Sequence, residues 1–502
     1  MRASEKMSAC GPGDKALARL LELYVSSYGD GEVRVFRVPA RMNILGTHID
    51  HRGGYLNYLT IDKELLCVAG KRSDRLVRFC NLEKIYGRGE FNIDSERPGP
   101  GVEWHDFIRS ARIIPGEWSN YLKASVLYLE KRFEEKKAKG VNLAFYGEIP
   151  VGSGMSSSSA IVVGSSVAFC SLNGIEIKRE DLALMCGEAE WYVGTRGGSG
   201  DHAAMLLGKK NQIAHMRFFP LTAEFLPFPA EYRIVSCNSM IKAKKTLGAK
   251  DIFNERIMSY EIGMRIVRKK FPWLASGIRY LRDINPNNLG SEEVVYGILL
   301  SLPVSITRKE VLETIPGEEI DFLFESHSEP AGGYRVRDAF LYGISECERS
   351  RICTEFLRGG DIGSFGRLMY ISHDGDRVSS HLPDGSSTVW DFTVTDGYIR
   401  GLLEDLKSGC AERIERARLY NQPGAYRCSI RELDLIVDIS RRVDGVKGAK
   451  LTGAGLGGSV LILVEKEKTG DLIEALNEKY YRPMGYPESA FVCKSVEGVE
   501  EI

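Results

Sequence analysis

Apolar residues follow two spacings along this 502-residue chain, and the spacings predict where helices and strands lie. Helical spacing predicts four helices in the first half of the chain: 15–28, 118–138, 159–172 and 179–193. Short runs of β-branched and aromatic residues predict strands: 33–38, 58–72, 76–81, 141–149, 449–452, 460–465 and 490–496. Pro39 is expected to end the first of these strands.

The order of these elements favours an α+β fold. Strands and helices mix without the strict alternation of a doubly wound parallel sheet, and residues 250–410 are mostly helical in pattern. A chain of this length exceeds what one hydrophobic core usually serves, so we expect two domains. The segment 220–232 bears prolines and interrupts the periodicity, which places the predicted boundary between 1–230 and 231–502.

Charge and cysteine usage exclude several classes of protein. Sixty-seven basic and 68 acidic residues give a net charge of -1, so no basic field points to nucleic acid. The eleven cysteines form no CxxC pair, which indicates reduced thiols in a cytosolic protein. The apolar runs are too short to span a bilayer. We therefore expect a soluble cytoplasmic protein without a nucleic-acid or membrane partner, either a monomer or a homodimer.

The segment 150–160 (PVGSGMSSSSA) is the strongest local signal. A predicted strand precedes it and an apolar helix follows. Its glycines allow close backbone approach, and the helix N-terminus presents unpaired N–H groups, so the segment suits a phosphate. It is not a Walker A loop, because no Gly-Lys-Ser/Thr follows. A serine-rich helix cap is the alternative.

Two further glycine-rich loops are present. The loop 451–459 (LTGAGLGGS) matches GxGxxG, but a strand follows it where a dinucleotide site needs a helix, so a tight turn between strands is equally compatible. The loop 194–202 (GTRGGSGDH) leads into the helical run AAMLLG. Asp201 is there either an N-cap or a carboxylate held near phosphates and a reacting hydroxyl.

A fourth polar segment lies at 41–54 (RMNILGTHIDHRGG), between two predicted strands. So many hydrogen-bonding side chains suggest a polyhydroxylated or charged ligand. A solvated loop is the other interpretation, and composition alone leaves both open.

In their order these segments resemble the GHMP kinases, and within them the galactokinases. Residues 39–54 (PARMNILGTHIDHRGG) resemble the galactokinase sugar signature, 150–160 the phosphate loop of the family, and 452–458 its third motif. Weaker similarities lie at 118–121, 280–283, 365–373 and 429–434. The resemblance implies two α+β domains with the active site in the cleft between them.

The resemblance also implies a set of site residues, with ATP and Mg²⁺ as cofactors. Asp201 matches the catalytic carboxylate, and Arg41 matches the arginine that pairs with it. Ser158 and Glu190 match the magnesium ligands. ATP would contact the remaining positions: Gly152, Ser153, Gly154, Met155, Ser156, Ser157, Ser158, Trp118, Gly453 and Gly455.

Two positions depart from the galactokinase pattern, and both belong to the implied sugar site. Thr47 replaces a glutamate that contacts the C6 hydroxyl, and Phe253 replaces a tyrosine that touches the sugar. GTHIDHRGG also resembles the plant galacturonokinase version of the signature. A C6 carboxylate would be repelled by glutamate and tolerated by threonine, and His51 or Arg52 could pair with it as a cation. The implied substrate-binding residues are Thr47, His48, Asp50, His51, Arg52 and Phe253.

The sequence therefore predicts an ATP-dependent sugar-1-kinase that phosphorylates the anomeric hydroxyl of galactose or of a galactose-like sugar or uronic acid. A galacturonokinase specific for the uronic acid and a catalytically silent sugar sensor are the alternatives. A GHMP kinase acting on a non-sugar alcohol is disfavoured by His48 and Asp50. An oxidoreductase would need a helix after Gly458.

Overall fold

The computed structural model describes residues 1–11, 13–194, 197–242, 247–316, 320, 324 and 326–502, with the backbone alone at 247–250. The strands are β1 (Arg34–Leu45), β2 (Tyr55–Lys71), β3 (Leu76–Asn81), β4 (Arg88–Asn92), β5 (Val141–Gly147), β6 (Gln212–Arg217), β7 (Thr222–Pro227), β8 (Tyr232–Asn238), β9 (Ser379–His381), β10 (Ser387–Val389), β11 (Val446–Thr452), β12 (Ser459–Glu465), β13 (Ala490–Cys493) and β14 (Glu500–Glu501).

The described α-helices are α1 (Ala3–Ala9), α2 (Lys15–Tyr28), α3 (Ile93–Glu96), α4 (Trp104–Ser110), α5 (Ser119–Arg132), α6 (Ser157–Asn173), α7 (Arg179–Glu190), α8 (Gly200–Leu207), α9 (Leu247–Lys270), α10 (Pro286–Leu289), α11 (Glu292–Ser301), α12 (Arg308–Thr314), α13 (Val336–Arg358), α14 (Ile362–Asp376), α15 (Asp396–Leu406), α16 (Ala411–Arg416), α17 (Arg431–Ser440), α18 (Thr469–Leu476) and α19 (Arg482–Met484). A π-helical turn at Asn477–Tyr481 joins the last two.

An eight-stranded sheet organises the first half of the chain, in the order β14-β1-β2-β5-β3-β4, with β6 on β2 and β7 on β6. All its pairings are antiparallel except β3 with β5. Helices α5 to α8 pack on one face and bury the largest apolar cluster, while α1 and α2 cover the other face. With apolar helices on both faces, this sheet is a rigid frame for the residues on its strands.

The sequence placed most of these elements correctly, but several boundaries differ: the helix predicted at 118–138 ends at Arg132, and the strand predicted at 490–496 ends at Cys493. The helix at 15–28 and the strand at 76–81 match the structure residue for residue. Pro39 does not end the first strand, because β1 runs on to Leu45. Its register with β2 shifts between Pro39 and Ala40, and a proline, which lacks an N–H, fits such an irregularity. The start of the sugar-like signature therefore lies on a strand.

A second, four-stranded antiparallel sheet has the order β11-β12-β8-β13. Helices α17 and α18 and the π-helical turn close over its apolar face. A separate apolar cluster holds together the helices from α9 to α13 and α15, whereas α14 packs in the largest cluster. The two unlike sheets with their helices are an α+β fold of two parts, as the sequence predicted, and β11 touches β1 where the two parts meet.

The segment 495–502 returns to the first sheet. Ser495 forms a bridge to Ile61, and β14 pairs with β1. The backbone N–H of Gly498 donates to Gly208, and that of Val499 donates to Met205, at the end of α8. These few residues of the predicted second domain thus support the helix that carries Asp201.

All eleven cysteines fall within the described residues and are free thiols. Of the helices in the described part of the chain, none combines the length and apolar character that a bilayer crossing requires.

Candidate active site

The phosphate-loop candidate connects β5 to α6, as the sequence predicted. Gly154 has φ +79, a conformation that L side chains rarely adopt, and a Cβ there would lie 2.3 Å from the carbonyl oxygen of Thr452. Only glycine fits this close approach. Helix α6 begins at Ser157, so its first-turn N–H groups open toward the loop. The arrangement suits an anion at the helix N-terminus.

The loop after β11 supports the first loop. At Gly453, with φ +78, a Cβ would lie 2.5 Å from the carbonyl oxygen of Gly154. The two glycine loops therefore pack backbone against backbone. A strand, β12, follows Gly458, which agrees with a turn between strands and removes the dinucleotide interpretation. Gly455 packs as closely on the carbonyl of Cys428, so the contact of Gly453 and Gly455 with ATP stays a prediction.

The side chains of the phosphate loop face different ways. The Ser153 hydroxyl donates to the Pro150 carbonyl oxygen at 2.6 Å, and Met155 is buried in the core. These two positions can offer a ligand their backbone but not their side chains. Ser156 has φ +63 and donates its hydroxyl to Asp201 at 2.6 Å. A non-glycine residue in this strained conformation is frequent at functional sites.

Arg41 and Asp201 form a bidentate ion pair in which Arg41 is buried and the Asp201 side chain is 27% exposed. The Arg41 Nε donates to one carboxylate oxygen of Asp201 at 2.6 Å and its Nη2 to the other. Its remaining Nη1 donates to the carbonyl oxygen of Gly154 at 2.6 Å. Tyr58 donates to Asp201 at 3.3 Å. One guanidinium thus joins the strand β1, the phosphate loop and the helix α8, as the resemblance implied for Arg41 and Asp201.

The surroundings hold Asp201 ionised. Burial by itself would raise the pKa of this carboxyl group, but the charge and hydrogen bonds of Arg41 and the hydroxyl of Ser156 outweigh it and lower the pKa to about 2. Asp201 lies in the first turn of α8, after the N-cap Ser199, so the N-cap interpretation is wrong. Thr195 and Arg196 of the same glycine loop lie outside the described residues.

Glu190 ends α7 and accepts a hydrogen bond at 2.8 Å from Ser159, not from Ser158. His202 Nε2 lies 2.8 Å from the same carboxylate oxygen. Ser159 also lies 2.9 Å from Ser156, which links this group to Asp201. Carboxylate and hydroxyl oxygens are the ligands that Mg²⁺ takes, so the donor set fits that ion. The assignment of Ser158 and Glu190 as its ligands stays a prediction.

His48 stands at the opposite end of the site, with φ +66. Its ring stacks on Tyr426 at a centroid distance of 4.4 Å and lies 6.1 Å from Phe253. Nε2 of His48 is 3.5 Å from an oxygen of Asp376. The signature histidine and Phe253 are thus neighbours, as expected, beside an acid that the sequence did not single out.

Thr47 is buried, and Lys450 of β11 donates to its hydroxyl. Behind it lies Glu346 of α13, wholly buried, whose Oε1 accepts from the N–H groups of Gly46 at 2.7 Å and Thr47 at 3.2 Å. Burial would raise the pKa of Glu346, but Arg349, Lys450 and the Gly46 amide outweigh it and lower the pKa. Through these two hydrogen bonds the Glu346 carboxylate fixes the backbone of the signature turn.

The other signature residues are paired with protein groups, Asp50 with His51 and Arg52 with helix α9. Asp50 lies 3.2 Å from Nδ1 of His51, and burial lowers the pKa of His51 so that it favours the neutral ring. Arg52 donates to Glu261 at 2.7 Å and to the carbonyl of Ile257 at 3.3 Å. The expectation that His51 or Arg52 supplies a cation to the sugar therefore finds no support in the geometry.

Trp118 lies apart from the charged groups. Its indole N–H donates to the Tyr86 carbonyl at 2.6 Å, and its ring meets Phe79 and Phe145 edge-on. Phe145 belongs to β5, which leads into the phosphate loop. Contact of Trp118 with ATP stays a prediction.

Sequence reasoning missed four of the side chains around the signature: Glu346, Asp376, Tyr426 and Lys450. Two of the weaker similarities pointed to the region, because Ser372 donates to Glu346 at 2.9 Å and His373 lies 3.1 Å from Asp434. Nothing in their spacing showed which acid they would meet.

With this geometry in view, comparison with known proteins gives three matching family descriptions. GHMP kinases N terminal domain matches residues 120–209, GHMP kinases C terminal matches 402–482, and Galactokinase galactose-binding signature matches 22–71. The galactokinase of Roseiflexus sp. (strain RS-1) is 25% identical over 484 residues, 96% of each chain. The galactokinase of Dictyostelium discoideum is 25% identical over 495 residues, 94% of this chain and 89% of that one.

Among solved structures, Lactococcus lactis galactokinase complexed with galactose aligns over 97% of this chain and 100% of its own, with a TM-score of 0.69 and 21% identity. At that identity the likeness shows the fold alone. The matched segments contain the ion pair, the phosphate loop and the signature described above. The chain thus carries matches to the N-terminal and C-terminal domains of the GHMP kinases and to the galactokinase galactose-binding signature.

Proposed function

We propose that this protein is an ATP-dependent sugar-1-kinase that transfers the γ-phosphoryl group of ATP to the anomeric hydroxyl of galactose or a galactose-like sugar. One observation carries the proposal. The Arg41–Asp201 pair joins the signature strand to the phosphate loop, so an acceptor hydroxyl and a phosphate can meet at one carboxylate. The family matches and the galactokinase relatives agree with this chemistry.

In this proposal the sugar hydroxyl binds at Asp201 and the ATP phosphates lie on the backbone amides of 152–158. The bond from the γ-phosphorus to the ADP oxygen breaks, a bond to the sugar oxygen forms, and the hydroxyl proton passes late in the transfer to Asp201 and from there to solvent. A carboxylate with a pKa of about 2 is a weak base. Asp201 therefore acts chiefly by orienting the hydroxyl, which suits a loose phosphoryl transition state that needs little prior deprotonation.

Arg41 contributes positive charge beside the transferring group and holds Asp201 ionised. Glu190, with Ser158 or Ser159, offers the oxygen ligands for Mg²⁺, which when bound neutralises charge on the phosphates. His48 and Asp50 are the proposed partners of the sugar hydroxyls.

The choice of sugar depends on the surroundings of Thr47. The expected cationic partners of a uronic acid, His51 and Arg52, are neutral or paired with Glu261. Galactose or a neutral relative is therefore the favoured substrate, and galacturonate is the second candidate. In its favour, Thr47 contacts the positive Lys450 where a galactokinase carries a glutamate.

The experiment is a substrate panel with ATP and Mg²⁺ over galactose, galacturonate, glucuronate, arabinose and N-acetylgalactosamine. Phosphorus NMR of the product distinguishes an anomeric phosphate from a phosphate elsewhere on the ring. Asp201→Asn is the matched inactive control. ATP-dependent formation of a sugar 1-phosphate supports the proposal. Sugar binding without any phosphorylated product would instead support the silent sensor, which the intact pair of Arg41 and Asp201 argues against.

A further inference from the structure

Three side chains that can act as metal ligands converge at the signature loop. His48 Nε2, a carboxylate oxygen of Asp376 and the Cys428 sulfur all lie within 4.8 Å of one another. His48 lies in the turn after β1, Asp376 at the end of α14 and Cys428 in the segment before α17. The fold, and not proximity in the sequence, therefore brings them together. Asp376 and Cys428 are buried, and the His48 side chain keeps 6% exposure on one side.

One ligand atom of this cluster has no hydrogen-bond partner in the described part of the chain, and a bound metal ion would supply a partner. Nε2 of His48 is buried and makes no hydrogen bond among the described residues. It faces Asp376 at 3.5 Å, too far for a good hydrogen bond. Bonds of ~2.0–2.2 Å to one tetrahedral ion would place two ligand atoms ~3.3–3.6 Å apart. The spacing of the His48 and Asp376 atoms therefore matches one edge of such a site.

Each ligand is also held in place by further contacts. Asp376 accepts a hydrogen bond from the Tyr342 hydroxyl at 3.2 Å and one from the Cys428 N–H at 3.3 Å. The His48 ring is fixed by stacking on Tyr426. Such supporting contacts orient the ligands of metal sites.

We infer that His48, Asp376 and Cys428 form a binding site for a thiophilic divalent cation such as Zn²⁺, and that its occupancy competes with the sugar. A set of one nitrogen, one carboxylate oxygen and one sulfur favours zinc over the Mg²⁺ of the phosphate end. Binding releases the Cys428 thiol proton to solvent and takes Nε2 of His48 away from a sugar hydroxyl. The fourth position remains for water on the exposed side of His48.

Competition with the sugar rests on the proposed function, whereas binding of the metal does not. Equilibrium dialysis of the full chain against Zn²⁺, without ATP and Mg²⁺, should find one tightly bound ion. Cys428→Ser should weaken its affinity by at least about tenfold, and Cys410→Ser, at the exposed cysteine, should leave it unchanged. No bound ion in the wild type, or equal affinity in Cys428→Ser, overturns the site.

Cobalt spectroscopy tests the assignment of Cys428 as a ligand in the wild-type protein, without any variant. Co²⁺ bound to the wild-type chain should show a thiolate charge-transfer band in the near ultraviolet, and a spectrum without that band overturns the assignment of Cys428. In assays with saturating Mg-ATP, Zn²⁺ should raise the KM for the sugar and leave kcat unchanged. Zinc that binds but does not change this KM would disprove the competition.

Discussion

The two ends of the candidate site are built differently. At the phosphate end, Arg41, Ser156 and Asp201 make direct hydrogen bonds within one cluster, and each belongs to a motif visible in the sequence. At the sugar end, Thr47 and His48 depend on acids from α13 and α14, some 300 residues away. The first end is defined by local motifs and the second by the packing of the whole fold.

This difference indicates at which positions substitutions are tolerated. If the Arg41–Asp201 pair binds the reacting groups as proposed, substitution there should abolish the reaction. Glu346 contacts the backbone of Gly46 and Thr47, so under the same proposal the side chain at position 47 can change and alter the choice of sugar. The departures from the galactokinase pattern, Thr47 and Phe253, both lie at this second end.

The largest effect is expected at Asp201. Asp201→Asn removes the charge that orients the acceptor hydroxyl, and kcat should fall by about 10²–10⁴ while ATP still binds. Tyr58→Phe is the matched control, because it removes only a 3.3 Å hydrogen bond to the same carboxylate and should cost ~2–12-fold. Steady-state kinetics and ATP titration measure both. Near wild-type kcat in Asp201→Asn would remove the proposed role.

Glu346→Gln tests whether the sugar end depends on a buried charge. Arg349, which is also wholly buried, and Lys450 would lose their carboxylate, and the free energy of unfolding should fall by about 3–5 kcal/mol. Glu355→Gln, on the same helix, breaks an exposed pair with Arg351 and should cost at most about 1 kcal/mol. Denaturant unfolding measures the free energy of unfolding of both variants. Equal losses of stability would contradict a special role for Glu346.

Arg41→Gln tests the electrostatics of the phosphate end. Because the folded pKa of Asp201, about 2, lies below its unfolded value of ~3.9, the pair stabilises the fold at neutral pH and loses this only as the pH falls between those values. Without Arg41, burial is uncompensated and the pKa of Asp201 rises. We expect kcat to fall by about 10²–10³ and a new acidic limb in the pH–rate profile. A pH–rate profile of unchanged shape would show that the activity does not depend on this ion pair.

Thr47→Glu tests sugar choice. The new carboxylate would lie beside Lys450 and repel an anionic sugar, so the ratio of kcat/KM for galactose to that for galacturonate should rise by about 10–150-fold. Thr47→Gln, with similar size and no charge, is the control. If the wild type already prefers galactose by more than about 100-fold, roughly 2.7 kcal/mol, the uronic-acid candidate is wrong.

The smallest effect is expected at the serines of the magnesium site. Ser158→Ala and Ser159→Ala should each raise the Mg²⁺ concentration for half-maximal activity by up to about tenfold. A shift in Ser159→Ala alone would move the predicted ligand by one residue, to the serine that contacts Glu190. No shift in either variant would place the ion elsewhere.

The sequence predicted the elements around the phosphate-loop candidate well because they are contiguous in the chain. A strand, two glycines and a helix start define the loop 150–160, and β12 after Gly458 excluded the dinucleotide site. The helix at 15–28 was bounded by its own periodicity and by Gly29. Pro39 was misjudged because a shift of register, which depends on the partner strand, accommodates it.

The sugar end was beyond sequence reasoning for a physical reason. Glu346 and Arg349 belong to the charge-rich run ECERSR, a composition that usually indicates a solvated helix face. In the structure both are wholly buried, because each supplies the other's countercharge and Glu346 also accepts two amides of the signature turn. Only tertiary pairing makes such burial favourable.

The return of 495–502 to the first sheet has a consequence for synthesis on the ribosome. Helix α8 takes its closing contacts at Met205 and Gly208 from Gly498 and Val499. At ~5–20 residues per second, synthesis of the chain between these positions takes roughly 15–60 s. During that interval the nascent first sheet lacks β14 and exposes the edge of β1, and an open strand edge is a site for pairing with other chains. The helix that carries Asp201 thus gains its closing contacts only after residues 498 and 499 have been synthesised.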